Sequence, residues 1–537
     1  MATCQPSWLR TFGGNTDTNL STLAVFDDGN GQALYAGGNF TNAFGVPANN
    51  IAKWNGSNWS ALGSGLDLFV DALAVFDDGS GPALYVGGEF THAGGVAANG
   101  IAKWNGSSWS ALGSGTNGSV RALATFDDGS GPALYAGGYF HMAGSVAVNN
   151  IAKWDGSSWS VLGTGIGGQF PDAVRALSVF DDGGGPALYA GGIFGIAGGV
   201  AANNIAKWNG TSWSALGSGM SGGSPSAVFA LTVFTLGSTT ALYAGGEFSL
   251  AGGISAHRIA RWDGSSWSHL GGGVGGSLPV VLALTAFDDG NGSALYVGGQ
   301  FTTAGGMTAI EIARWNGSSW SSMQSGMNSY VGAIEVFDDG GGPALYAAGD
   351  FGASASGDSH LAKWGNSPGC GMPGSSTCEP GTGAVIACPC ANAPAIGGVG
   401  CNNSANTGGA SLDATGIARL SYDTVVFISA GEKPMATSIV LQGDSLSSTG
   451  VAFGQGVRCV TGALKRLYVK NAVAGSITAP QGTDLHVHSR SAQLGDTIAP
   501  GSHRYYGVYY RDPTVLGSCP ASSTFNITQQ LDVLWGA

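Results

Sequence analysis

Apolar and polar positions recur along this chain in blocks. Ala83-Leu84-Tyr85-Val86-Gly87-Gly88 is a short apolar run closed by paired glycines, and its counterparts begin at 33, 133, 187, 241, 294 and 344. The period is 50 to 54 residues. Four segments of the second copy read as strands: 70–76, 83–90, 101–104 and 108–113. Between them lie Asp77-Asp78-Gly79-Ser80-Gly81, a Gly/Ala/Asn-rich loop, and Asn105-Gly106-Ser107. Asp-Gly and Asn-Gly steps supply the positive-φ positions of tight hairpins. Four short antiparallel strands per unit, seven times over, predict an all-β fold, a seven-bladed β-propeller.

The tryptophans give the same count. One ends the third segment of every unit, at 54, 104, 154, 208, 262, 315 and 364, and a second opens the fourth at 59, 109, 159, 213, 267 and 320. The seventh unit lacks its second Trp. Ser7-Trp8-Leu9-Arg10-Thr11-Phe12-Gly13-Gly14 matches Ser108-Trp109-Ser110-Ala111-Leu112-Gly113-Ser114-Gly115, so the amino terminus is expected to supply the outer strand of the last blade. Residues 1–369 form the propeller in this reading, with strand 6–14 completing it. A Cys/Gly/Pro-rich linker follows over 370–400. Alternating segments at 424–428, 438–441, 466–469, 485–487 and 505–510 then predict a β-sandwich-like domain over 401–537.

Composition excludes several classes. There are 95 glycines in 537 residues without a period of three, which rules out collagen. The 15 Trp, 15 Tyr and 22 Phe supply a core that a disordered chain lacks. Residues 1–369 carry 11 Lys/Arg and 24 Asp/Glu, the whole net charge of −13, whereas 370–537 carry nine of each. An acidic ring argues against nucleic acid and against anionic membrane surfaces, and no apolar run is long enough to span a bilayer. Seven of the eight cysteines lie beyond 369, in a pattern of disulfides rather than of zinc ligands. Met1-Ala2-Thr3-Cys4 has no signal-peptide character. The expectation is a secreted, extracellular protein whose leader is absent from this chain. Cys4 and Cys370 flank the ring seam and are expected to form a disulfide; eight cysteines otherwise allow 105 pairings.

The paired glycines after an apolar strand, followed by two aromatics on adjacent strands, resemble the kelch repeat, with Gly87, Gly88, Trp104 and Trp109 as the matching residues. The likeness covers about 1–365 and implies a binding platform. Some kelch-type rings are copper enzymes with a Tyr–Cys crosslink, but Cys4 is the only cysteine before residue 370. Cys388-Pro389-Cys390, Gly400-Cys401-Asn402-Asn403-Ser404, Gly456-Val457-Arg458-Cys459, Tyr509-Tyr510-Arg511-Asp512-Pro513 and Ser523-Thr524-Phe525-Asn526-Ile527-Thr528 resemble an uncharacterised carboxy-terminal module of secreted multidomain proteins of environmental bacteria. That resemblance implies export and brings no catalytic residue.

Asp pairs recur in six units, at 27–28, 77–78, 127–128, 181–182, 288–289 and 338–339. They read as turn-capping residues; calcium is the alternative, although no turn has a spaced ladder of ligands. No cofactor is expected. Lys53, Lys103, Lys153, Lys207, Arg261, Arg314 and Lys363 share one strand position and are expected to snorkel between blades. His486-Val487-His488 is expected on one strand face, with His503 beyond it, usually a surface feature.

On the opposite face the repeats differ from one another. Glu89, His92, Tyr139, His141, Phe170, Glu247, His257, Gln300, Tyr330 and Asp350 form the candidate ligand-binding set, with Asn39, Ile193, Met142, Arg258, Glu311, His360, Leu68, Phe69, Gln169 and Pro171 nearby. Aromatic faces beside polar forks suit sugars. The leading expectation is a non-catalytic binding protein for an extracellular glycan or a cell-surface partner. Alternatives are a polysaccharide lyase or glycoside hydrolase using the same face, with Tyr139 and His141 as base and acid, and a self-assembling surface layer or filament component.

Overall fold

The computed structural model describes residues 6–12, 16–168, 172–237, 239–289, 291–339, 342–354, 356–365, 375–376, 388, 401, 405, 407, 409–415, 418, 423–453, 455–499, 502–512, 525–528 and 530–535. Up to residue 365 the chain builds seven four-stranded antiparallel sheets. In the second, Val70–Asp77 pairs with Pro82–Gly88, which pairs with Ile101–Trp104, which pairs with Trp109–Ala111. The first strand of each sheet lies beside the first strand of the next, and Leu20–Asp27 lies beside Val331–Asp338. The sheets therefore close into a ring.

The last sheet takes its outer strand from the start of the chain. Ser7–Leu9 pairs with Leu361–Gly365, placing Trp8 opposite Trp364. Trp8 Nε1 donates to Met323 O at 3.1 Å, just as Trp109 Nε1 donates to Leu62 O of the preceding blade at 2.9 Å. The amino-terminal strand thus closes the last sheet as anticipated, over Ser7–Leu9 of the expected 6–14, and the structure adds the indole hydrogen bond. Cys4 and Cys370 lie outside the described residues.

Why glycine follows the second strand is a matter of space. A Cβ on Gly87 would sit 2.6 Å from Val120 Cγ1 of the next blade, and one on Gly88 only 2.0 Å from Phe69 O. Glycine inside a strand marks such a close approach of neighbouring chain. Gly87→Val is expected to destabilise the ring by about 1–3 kcal/mol or more through overpacking, read as a lower unfolding midpoint. A midpoint equal to wild type would contradict this packing.

The opposite rim is built from turn chemistry. Asp77 Oδ1 accepts the N–H groups of Gly79 and Gly81 at 2.8 and 3.0 Å. Asp78 Oδ2 accepts from Tyr85 Oη at 2.8 Å and Lys103 Nζ at 2.5 Å, and the ammonium stands 5.8 Å from the Tyr85 ring centre. The Asp–Lys–Tyr group recurs as Asp28, Lys53 and Tyr35, as Asp128, Lys153 and Tyr135, as Asp182, Lys207 and Tyr189, and as Asp339, Lys363 and Tyr346. Burial works to raise the Asp78 carboxyl, but hydrogen bonds from Lys103, Ser80 and Tyr85 outweigh it and hold it well below the usual carboxylate range. Tyr85 moves the other way, raised by burial and by the Asp78 bond.

This corrects the expectation for the lysines. They fold back onto an Asp of their own blade instead of snorkelling between blades, because that carboxylate lies beside the tyrosine of the adjacent strand. Both carboxylates of a pair are occupied in this way. No three described His, Cys, Asp or Glu side chains are placed to hold a metal ion.

Beyond residue 410, Ser411–Thr415, Val426–Ala430 and Ile477–Ala479 form one sheet. A second is formed by Ser375–Ser376, Leu531–Leu534, His503–Arg511, Thr437–Gly443 and Lys465–Asn471, with Phe525–Ile527 also pairing to His503–Arg511. Phe427, Val440, Tyr506, Val508 and Trp535 share a buried core across them, as a sandwich requires. Cys388 and Cys401 form a disulfide, and Cys459 is disulfide-bonded as well. A second correction concerns His486 and His488. They lie at the start of the helix Val487–Gln493, not on a strand, because Asp423 accepts the His488 N–H at 2.7 Å and seeds that turn. His488 Nδ1 lies 3.0 Å from the same Asp423 oxygen, while His503 pairs with Asp532. No described helix is long and apolar enough to cross a membrane.

Candidate functional site

The variable face is assembled from two sets of loops. Loops entering the first strand touch the hairpins that join the second and third strands, through bridges such as Leu66 with Ala93 and Thr116 with Ala143. The residue after the paired glycines is tied to the same loops: Glu89 N donates to Phe69 O at 3.0 Å, and Asp350 N to Tyr330 O at 3.2 Å.

Every first strand begins here with a β-bulge. The register skips Ser21, Asp71, Arg121, Arg175, Phe229, Leu282 and Gly332 in turn. A bulge re-aims its side chain out of the ladder, so this position is free of the packing that fixes its neighbours. Round the ring it is charged in blades two to four and uncharged elsewhere.

Those charges converge. Arg121 Nη2 donates to Glu89 Oε1 at 2.5 Å, Nε donates to Ser119 Oγ at 3.2 Å, and Nη1 lies 3.5 Å from Asp71 Oδ2. Burial pushes the Asp71 carboxyl above the usual range against the pull of Arg121. Burial, and then the charge of Arg121, lower Arg175. Glu89, Arg121, Tyr139 and Arg175 line one cavity of about 850 Å³ between blades two, three and four, within the size range of small-molecule sites. Tyr139 is 39 % exposed.

Of the ten candidates, Glu89 and Tyr139 lie in this cavity. His141 stands beside it, its ring 5.7 Å from that of Tyr139 in an edge-on contact. His92 is exposed, with Nδ1 3.1 Å from Asp67 Oδ2, next to the cavity residue Thr91. Glu247, Gln300, Tyr330 and Asp350 belong to blades five, six and seven and do not line the cavity. Tyr330 Oη accepts from Asn19 Nδ2 at 3.4 Å, and burial followed by the Asp350 charge raises its hydroxyl. His257 Nε2 pairs with Ser255 Oγ at 3.0 Å. Phe170, Gln169 and Pro171 lie outside the described residues.

Three neighbouring polar residues have a structural task. Arg258, Glu311 and His360 occupy a left-handed loop position, with φ of 74°, 63° and 62°, where other blades place Asn50, Asn150 and Asn204. Asn150 Oδ1 accepts from Phe140 N at 3.2 Å and its Nδ2 donates to Ile166 O at 2.9 Å. Glu311 closes its loop in the same manner, accepting from Phe301 N at 3.0 Å.

The residues missed from sequence are Asp71, Arg121 and Arg175. Their signal is present in the repeats: one position inside the first strand, beside a recurring apolar residue, is charged in three successive units and Ser, Phe, Leu or Gly in the others.

Residues 58–241 match the family model described as the Rax2 C-terminal beta propeller domain. The ring is a β-propeller. Among solved structures, it is similar to an ancestral GH74 enzyme, at 14 % identity and a TM-score of 0.40, over 71 % of this chain and 49 % of that one. It is also similar to Raptor of Chaetomium thermophilum, at 11 % identity and a TM-score of 0.36, over 67 % of this chain and 29 % of that one. The propeller chain thus spans about half of the first of these structures and less than a third of the second. No curated protein matches it.

Proposed function

We propose that this protein is a secreted, non-catalytic binding protein whose variable face engages an extracellular glycan. The observation that carries this reading is the cavity of blades two to four, where an exposed Tyr139 ring stands beside the forks of Arg121 and Arg175 and the Glu89 carboxylate. Sugars offer C–H faces to an aromatic ring and hydroxyls to such forks. Because only three of the seven blades contribute, a single site is expected instead of seven weak ones. The Cys388–Cys401 disulfide supports an oxidising, extracellular setting. A kelch-like ancestry of the repeats fits this use as a platform, and 1–369, 370–400 and 401–537 are proposed as ring, linker and carboxy-terminal domain, with the linker lending the strand Ser375–Ser376 to a sheet of that domain.

Retention of the purified protein on a panel of polysaccharide gels, with and without EDTA, tests the reading. Retardation by one glycan is expected, unchanged by EDTA and weakened about tenfold or more in Tyr139→Ala through loss of the stacking surface. No retardation on any gel would overturn it in favour of a protein partner or self-assembly. The Tyr139–His141 contact favours one other reading, a polysaccharide lyase; release of fragments with an unsaturated non-reducing end, read by their ultraviolet absorption, would establish it, whereas new reducing ends alone would come equally from a hydrolase.

A further inference from the structure

One guanidinium of the cavity has the charges of Asp71 and Glu89 near it but makes no hydrogen bond to either among the described residues. Arg121 is spent on Glu89, Ser119 and Asp71. Arg175, half-buried on the neighbouring bulge, has a buried Nε–H with no hydrogen-bond partner among the described residues. An unpaired buried donor on a cation is costly to keep, and a protein gains by retaining it where a ligand supplies the acceptor. The fork lines the same cavity as the Tyr139 ring.

We propose that the cavity binds a uronate, an acidic sugar residue whose carboxylate is taken by Arg175 while its ring lies against Tyr139. This rests on the glycan-binding reading above and names its substrate class. Charge decides for a carboxylate over a phosphate or a sulfate-dense chain. Asp71 and Glu89 already balance the two arginines, so no surplus positive charge is left to hold a dianion, and a single carboxylate gains through the geometry of its contact with the Arg175 fork instead of through net attraction. A guanidinium meets a planar carboxylate through two parallel N–H···O bonds, which an uncharged sugar cannot offer. The net charge of −13 repels a polyanion at long range, but that repulsion is screened beyond about 8 Å at physiological salt, whereas the direct contact persists.

Titration calorimetry on the full chain tests this with oligogalacturonate, oligomannuronate and hyaluronan oligomers, each beside the same oligomer with its carboxyls methyl-esterified. At least one acidic oligomer is expected to bind about 10- to 100-fold more tightly than its ester, the range of a charge-assisted hydrogen bond. Arg175→Gln is expected to bring the acid down to the level of the ester, and Arg175→Lys, which keeps the charge and loses the fork, to fall between. Should the glutamine variant not fold, judged by tryptophan fluorescence, the lysine variant carries the comparison. Acid and ester binding equally would overturn the uronate assignment and leave the glycan reading standing. No binding of any uronate, with a neutral glycan retained on gels, would overturn it likewise. Failure of every glycan would remove the reading on which it rests.

Discussion

Trp8→Ala is expected to lower the stability of the ring by about 3–5 kcal/mol, the cost of emptying a large buried aromatic site. Trp8 is only 6 % exposed, although it is the eighth residue of the chain. Its strand is the fourth member of the seventh sheet, and its indole reaches Met323 O of the sixth blade. Phe12 then crosses the seam, with its ring 5.3 Å from Trp54 and 5.9 Å from Trp59 of the first blade and 6.2 Å from Tyr346 of the seventh. Phe12→Ala should therefore cost a similar amount. Val161→Ala, at a residue 50 % exposed on the rim, should stay within about 0.5 kcal/mol of wild type. Denaturant unfolding followed by tryptophan fluorescence checks all three. Equal midpoints for Trp8→Ala and Val161→Ala would show that the amino-terminal strand does not lock the ring.

Breaking one Asp–Lys–Tyr group should be the next most severe change. In the second blade both charged side chains are 12 % exposed, so Asp78→Ala leaves the Lys103 ammonium with Ser80 Oγ, 2.7 Å away, and no carboxylate, at a cost of up to about 3 kcal/mol. Replacing both residues together, Asp78→Leu with Lys103→Met, should recover most of that loss, since a paired charge also bears its own desolvation. A double variant no better than Asp78→Ala would contradict the pairing. The blade lacking the Asp pair supports this view: there Thr235 Oγ1 bonds Thr240 Oγ1 at 2.8 Å, and Leu236 packs where a Cβ on Gly317 would meet it.

The same carboxylates set the response to acid. Asp28, Asp78, Asp128 and Asp182 are held below their ordinary range, and Asp67 is lowered to about 2 against the desolvation that opposes it. A depressed carboxyl contributes stability above its unfolded pKa of about 3.9 and loses it as pH falls through the lower folded value. Asp71, Glu311, Glu335 and Asp358, raised by burial, have the opposite sign and favour the folded chain as pH falls from neutral. The melting temperature is thus expected to hold or rise slightly from pH 7 to about 5 and to drop below about 4. Burial lowers His360, which costs some stability as pH falls below about 6.5, so only a decline from near pH 6 larger than one histidine can cause would contradict these environments.

The fold was legible because its signals are local and repeated. A paired glycine, a Trp pair and two Asx turns recur in register, and the unmatched Trp8 pointed to its missing partner strand. The helix Val487–Gln493 escaped notice because its start depends on Asp423, about sixty residues earlier, and a His-Val-His triplet has no helical periodicity of its own. The site was half legible. Glu89 and Tyr139 stand out because they vary in loops. Arg121 and Arg175 sit inside strands, where charge reads as a solvated edge until the bulge that re-aims it is known. Repeat variation also flagged Glu311 and His360, whose left-handed loop position holds the hairpin and leads nowhere near the cavity.

Hydrogen exchange of the full chain, with and without the glycan retained on gels, tests most directly whether the mouth of blades two to four is where this protein binds. Slower exchange is expected at 89–91, 114–121, 139–144 and 173–175, with the Asp-Asp and Asn-Gly-Ser turns unchanged. Protection confined to those turns, or to the sheets beyond residue 410, would contradict it.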